Sequence, residues 1–132
     1  LNRSIFEKFI VTADGMNTQD KVFQLSPEAS TWLFAISFWD EVNRVHGTIF
    51  AAYDFAEAHP SVLHAMAVML SAIVQRAGQN TAPTFKFIAD YDANNQPHWM
   101  TIEKTQLLSE LGLLRDFCQT AADAQQALMI GL

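Results

Sequence analysis

Ser26-Pro27-Glu28-Ala29-Ser30-Thr31-Trp32-Leu33-Phe34-Ala35-Ile36-Ser37-Phe38-Trp39-Asp40-Glu41-Val42-Asn43-Arg44-Val45-His46 is the stretch on which the fold turns. Its start has the chemistry of a helix N-terminus: a serine hydroxyl to cap free N–H groups, proline at the first helical position, and a carboxylate near the positive end of the dipole. Read as one continuous helix turning about 100° per residue from Trp32, it places Phe34, Val45, Phe38, Val42, Ala35, Trp39, Trp32 and Ile36 on an arc of roughly 200°, with Asp40, Arg44, Ser37 and Glu41 in the remainder and Leu33 alone intruding. A half-buried helix needs an apolar stripe of only about 100°. Such a helix must be covered from two directions, by its own fold, by another chain or by a ligand.

Outward from this segment, the chain punctuates itself. On the N-terminal side, Phe9-Ile10-Val11-Thr12 and Val22-Phe23-Gln24-Leu25 are β-prone runs flanking Asp14-Gly15, a hairpin signal, with a helical start over 1–10 as the competing reading. On the C-terminal side, Thr48 to Ala58 resumes a helical pattern through Ile49, Phe50, Tyr53 and Phe55, and His59-Pro60 marks a boundary because the residue before proline is pushed away from helical geometry. A further helix is predicted from Ser61 to Ala77, apolar nearly all round and therefore central, with Gly78 in position for a left-handed cap. Phe85 to Tyr91 and His98 to Ile102 read as two strands around the polar turn 92–97, and Thr101 is placed to cap a last helix running to about Ile130. Along that helix Leu107, Leu111, Leu114, Cys118, Ala121, Gln125 and Leu128 recur at alternating steps of four and three, a seam better suited to packing on its own core than to a zipper.

The expected architecture is α+β and predominantly helical, three to four helices packed with one or two short β-hairpins. One domain covers 1–132: an N-terminal hairpin over 1–25, a helical core over 26–78, a second hairpin over 79–104 and a C-terminal helix over 105–132. The 132 residues are half hydrophobic and 17% charged, enough to bury a real core.

Composition also narrows function. The formal charge is −6, and the eight basic residues are scattered without a stripe to offset phosphate, so nucleic-acid binding is not expected. The single cysteine, Cys118, excludes an internal disulfide framework and reads as a small apolar residue on a helix face, in keeping with a reducing, cytoplasmic setting. The apolar run Val62 to Val74, interrupted by His64 and Ser71, falls short of the roughly 20 residues of a bilayer crossing and reads as a buried helix. The first residues lack the basic, apolar, small-residue succession of a secretory signal.

Catalytic and metal patterns are weak. Asp90, Asp92 and Asn94 alternate like the first ligands of a calcium loop, but Asn95 and Thr101 stand where that loop needs glycine and a bidentate glutamate, so a polar hairpin turn is expected. His46, His59, His64 and His98 lack metal-site spacing, and His64 reads as a core histidine bonded to backbone. Asp54 and Glu57 share a face if that segment is helical, where paired acids read as solvated surface. No glycine-flanked serine, thiol-hydrolase signature or phosphate loop occurs. Neither a catalytic residue nor a cofactor or metal site is assigned.

Ten Phe, three Trp and five Met are the remaining lead. Burying each large side chain contributes roughly 1.5–3 kcal/mol, so Phe34 and Phe38 must be covered. The primary expectation is a non-catalytic interaction or assembly protein that docks or self-associates through Phe34, Phe38 and Val45. The alternative is a small enzyme or ligand-binding domain with an apolar pocket between the central helices, lined by Trp32, Trp39 and Met66.

The segment Asp90-Tyr91-Asp92-Ala93-Asn94-Asn95-Gln96-Pro97-His98-Trp99-Met100-Thr101, followed by a long helix with Leu107, Leu108, Leu111 and Ala127-Leu128, resembles the terminal module of some bacteriophage tail and tail-fibre-associated proteins. It covers about 45 residues at the C-terminal end, counted from that motif. The Trp often placed before the turn is missing, Ile88 and Tyr91 standing there instead, and the apolar helix 61–77 has no counterpart. The resemblance implies a structural or assembly role, a protein partner or homo-oligomer, and a virion-associated location. It carries over no active site.

Overall fold

The computed structural model describes residues 8–12 and 22–132. Its elements run β1 (Lys8–Thr12), β2 (Val22–Leu25), α1 (Pro27–Ala35), α2 (Phe38–His46), β3 (Phe55–Ala58), α3 (Pro60–Gln79), β4 (Thr84–Tyr91), β5 (Pro97–Glu103), α4 (Lys104–Asp123) and β6 (Leu128–Gly131). The fold is α+β and predominantly helical, with four helices and short antiparallel strand pairs among the described residues. One sheet has the order β2-β1-β6-β3, every neighbour antiparallel; β4 and β5 form a separate ribbon. The expected strand pair β1–β2 is formed, while its Asp14-Gly15 connection and the start of the chain lie outside the described residues.

The segment 26–46 is two helices, not one. Ser26 caps α1 as expected, its Oγ accepting from the Ala29 N–H at 3.1 Å. The helix stops at Ile36, whose N–H donates to the Trp32 carbonyl while the Ser37 N–H turns back to the Phe34 carbonyl, and Ser37 takes a left-handed conformation (φ 63°, ψ 32°). That reversal resets the helical phase, so a wheel carried through Ser37 assigns faces wrongly. Leu33, the intruder on the continuous wheel, is fully buried, and α2 turns Phe38, Trp39 and Val42 into the core on its own account.

The expected helix over 48–58 is absent. Asn43 holds this segment in another shape: its Oδ1 accepts from the Phe50 N–H (2.9 Å) and from Thr48 Oγ1 (2.8 Å), and its Nδ2 donates to the Phe50 carbonyl (2.8 Å). Gly47 ends α2 in the left-handed region at φ 67°, which glycine adopts without a Cβ penalty. Phe50 is thereby delivered into the core against Trp39, ring centroids 5.5 Å apart, and the chain continues into β3.

Pro60 opens α3 at the predicted boundary, but the helix passes through Gly78 to Gln79 and ends at an extended Asn80, so Gly78 is no left-handed cap. The helix is not buried all round: Val62, Leu63, Met66, Ala67, Leu70, Ile73 and Ala77 face inward against α4, while His64, Val68, Ser71 and Gln75 are exposed. Its length and a mean hydropathy of 1.2 in one window match a membrane span by composition alone.

The ribbon matches expectation, with a bulge between Ile88 and Asp90 and a turn in which Asp92 Oδ1 accepts from the N–H groups of Asn94 and Gln96. The last helix departs from it at both ends. Glu103, not Thr101, occupies the cap position, and the Lys104 N–H is satisfied by the Pro83 carbonyl at 2.9 Å. At the other end Gln125 adopts φ 55°, with its N–H on the Ala122 carbonyl and the Gln126 N–H on the Ala121 carbonyl, a Schellman termination without glycine. The seam Leu107, Leu111, Leu114, Cys118 and Ala121 is buried on the protein's own core, as expected, but Gln125 and Leu128 have left the helix. Leu128 and Ile130 enter the sheet as β6, where Ala58 faces Leu128 and Ala56 faces Ile130.

Candidate functional site, an apolar cleft at the α1–α2 corner

Residues on both sides of the reversal at Ser37 and along α3 border a gap that the chain's own side chains leave open. A cleft of about 570 Å³ results. Trp32, Ile36, Ser37, Phe38 and Glu41 line it from the corner; Met69, Ala72, Ile73, Arg76 and Ala77 from α3; and Phe85 from β4. On α3 the steps Met69, Ile73 and Arg76 are four and three, one helical stripe ending in a cation. Trp32 and Phe85 lie 6.3 Å apart between ring centroids, tilted by 43°, within the range in which aromatic rings interact favourably. Both are half-buried, as is Met69, so this wall is apolar and reachable.

Charge stands at the mouth. Arg44 grips the Glu41 carboxylate with two donors, Nε to Oε1 at 3.1 Å and Nη2 to Oε2 at 2.6 Å. This neighbour holds the Glu41 carboxyl below its ordinary range and the Arg44 guanidinium above its own.

The sequence-predicted residues divide unevenly over this geometry. Phe38 is only 2% exposed, its ring edge-on to Trp39 at 5.0 Å, so it is a core residue rather than an anchor offered to a partner. Phe34 is half-buried against the core and Val45 is 52% exposed; the three lie on two separate helices and make no single face. Of the predicted pocket residues, Trp32 lines the cleft, whereas Trp39 and Met66 are buried in the core behind it. The cleft itself is bordered by α1, α2, α3 and β4. Sequence reading missed Ile36, Met69, Ile73, Arg76 and Phe85. The α3 stripe was available as a signal, but Phe85 comes from a strand that no local pattern ties to it.

The remaining candidates are surface features. His64 is exposed, its Nδ1 3.1 Å from Gln119 Oε1, and is not the expected core histidine. Asp54 and Glu57 are both exposed, but in a loop and a strand rather than on one helical face. On the ribbon, Asp90 Oδ1 meets His98 Nδ1 at 2.7 Å, and Lys86 Nζ sits 4.8 Å from the centroid of the Trp99 ring. Among the described residues no three His, Cys, Asp or Glu side chains converge as a metal ion would require. Cys118 is buried, and desolvation pushes its thiol up to about 12.

No protein-family model, no curated protein and no solved structure matches the chain.

Proposed function

We propose that this protein is a non-catalytic binding domain that takes a small apolar molecule into the cleft at the α1–α2 corner. The observation that carries this reading is the convergence of Trp32, Ile36, Met69 and Phe85, from three separate segments, on a cleft still open once the chain's own elements are packed. Its volume falls within the roughly 300–1,000 Å³ of small-molecule sites, and its apolar lining with few polar groups has their character. Binding is favoured over catalysis because the one carboxylate in the lining, Glu41, is already closed by Arg44. Titration with 4-phenylbutanol tests the proposal. Chemical shifts should move at the Met69 methyl and the Trp32 indole N–H and not at buried Trp39, and Ala72→Trp, which fills the cleft from an exposed helix position, should abolish them. Shifts scattered over Trp39 and Trp99, or none at all, would refute it.

A second reading, self-association, is favoured by two exposed apolar side chains, Val45 in the last turn of α2 and Ile49, 80% exposed, in the loop after it. The likeness of the C-terminal segment to phage tail modules supports the same assembly role. Light scattering over a concentration series tests it: the mass should rise toward a dimer and fall back in a Val45→Asp/Ile49→Asp variant.

A further inference from the structure

Two side chains of opposite charge line the cleft, and they are not equivalent. Both oxygens of Glu41 are occupied by Arg44, so that pair is locally neutral. Arg76, in the last turn of α3, forms no ion pair with any described carboxylate. It ends the same stripe that supplies Met69 and Ile73 to the wall, and it is an exposed member of the lining. The chain as a whole carries −6, a field unfavourable to anions at long range. That field is screened within about 8 Å at physiological ionic strength, and the neighbour met inside the cleft then decides.

The geometry points to a small amphipathic acid as the occupant: an aromatic or aliphatic body lying on Trp32, Met69, Ile73 and Phe85, with its carboxylate received by the Arg76 guanidinium. This rests on the cleft being a binding site at all. Guanidinium presents paired donors that match the two oxygens of a carboxylate, which a hydroxyl of the same skeleton cannot use. A cationic amphiphile would have to share Glu41 with Arg44, whose own charge repels it. An uncharged one gains the apolar wall and nothing at the mouth.

The experiment compares 4-phenylbutyrate with 4-phenylbutanol by titration calorimetry on the whole chain. The acid should bind about ten-fold more tightly, in line with a charge-assisted contact discounted for an exposed rim. Raising the salt concentration should weaken the acid alone. Arg76→Gln should bring the acid down to the affinity of the alcohol, with the loss much larger for the acid than for the alcohol, and Arg76→Lys should restore part of the preference. Equal affinities for the two probes, or an Arg76→Gln variant that weakens both alike, would overturn the assignment of Arg76 while leaving the cleft as an apolar site. Binding of neither probe would overturn the cleft reading together with it.

Discussion

Phe38 and Val45 are seven positions apart in the sequence, and they separate what a partner can touch from what the core requires. With its ring enclosed against Trp39, Phe38→Ala should cost about 3–5 kcal/mol, and Phe38→Asp should leave the chain unfolded, because a buried carboxylate would have no partner. Val45→Asp should stay within about 0.5 kcal/mol of the parent, as surface substitutions do. Urea denaturation of the three variants measures this directly. Cys118 offers a test of burial by titration. Its pKa is about 12 in the fold against an ordinary 9.0, so below pH 9 both folded and unfolded thiols are protonated and the contribution of the buried thiol is complete. Above that the unfolded thiol ionises first, the unfolded state holds fewer protons, and stability must fall as pH rises toward 12. Cys118→Ala should flatten this alkaline limb, and iodoacetamide should label the native thiol only after denaturant is added.

Two terminations shape the elements, and both depend on groups that pattern reading passes over. Asn43 makes three hydrogen bonds to the segment after α2, where it acts as a stand-in for backbone and keeps 48–54 out of a helix. Asn43→Ala should destabilise by about 2 kcal/mol, the cost of leaving the Phe50 N–H and carbonyl without partners close to the core. Its signature would be loss of hydrogen-exchange protection at Phe50 beyond that of the molecule as a whole. Gln125 ends α4 in a left-handed conformation that a Cβ disfavours by about 1–2 kcal/mol. Gln125→Gly should therefore raise stability, by about 0.5–1 kcal/mol after the entropy of glycine is counted. A rise in the urea midpoint without a change in slope would establish it.

At the scale of the molecule, the strand β6 joins regions far apart in sequence. It lies between β1 and β3, Ile130 facing Ile10 on one side and Ala56 on the other, while Leu128 and Ile130 are buried with the α3–α4 core. The N-terminus of α1 is tied in a similar way: Glu110 on α4 accepts from the Ser26 N–H and from Ser26 Oγ, each at 2.7 Å, across 84 positions. Deleting residues 128–132 should abolish cooperative unfolding altogether, since β1 and β3 would lose the strand between them and the core two of its fully buried side chains. Far-UV circular dichroism with a broad, non-cooperative thermal trace is the expected result.

Local chemistry was sufficient for much of this protein. The Ser26-Pro27 start, the His59-Pro60 boundary, the β4–β5 ribbon around its Asp-rich turn and the buried seam from Leu107 to Ala121 follow from caps, proline and periodicity, all of which act within a few residues. The single-helix reading of 26–46 failed at Ser37, because a left-handed serine carries no compositional mark, and the long C-terminal helix failed at Gln125 for the same reason. Strand β6 escaped notice because Leu128-Met129-Ile130 suits a helix as well as a strand, and its partners lie about 70 and 120 positions away, a separation that no local periodicity spans. The cleft belongs wholly to tertiary structure. Trp32 was visible as an aromatic on an amphipathic segment, but its meeting with Arg76 and Phe85 depends on the turn at Ser37 and on where α3 and β4 come to rest, and those are set by the packing of the whole core.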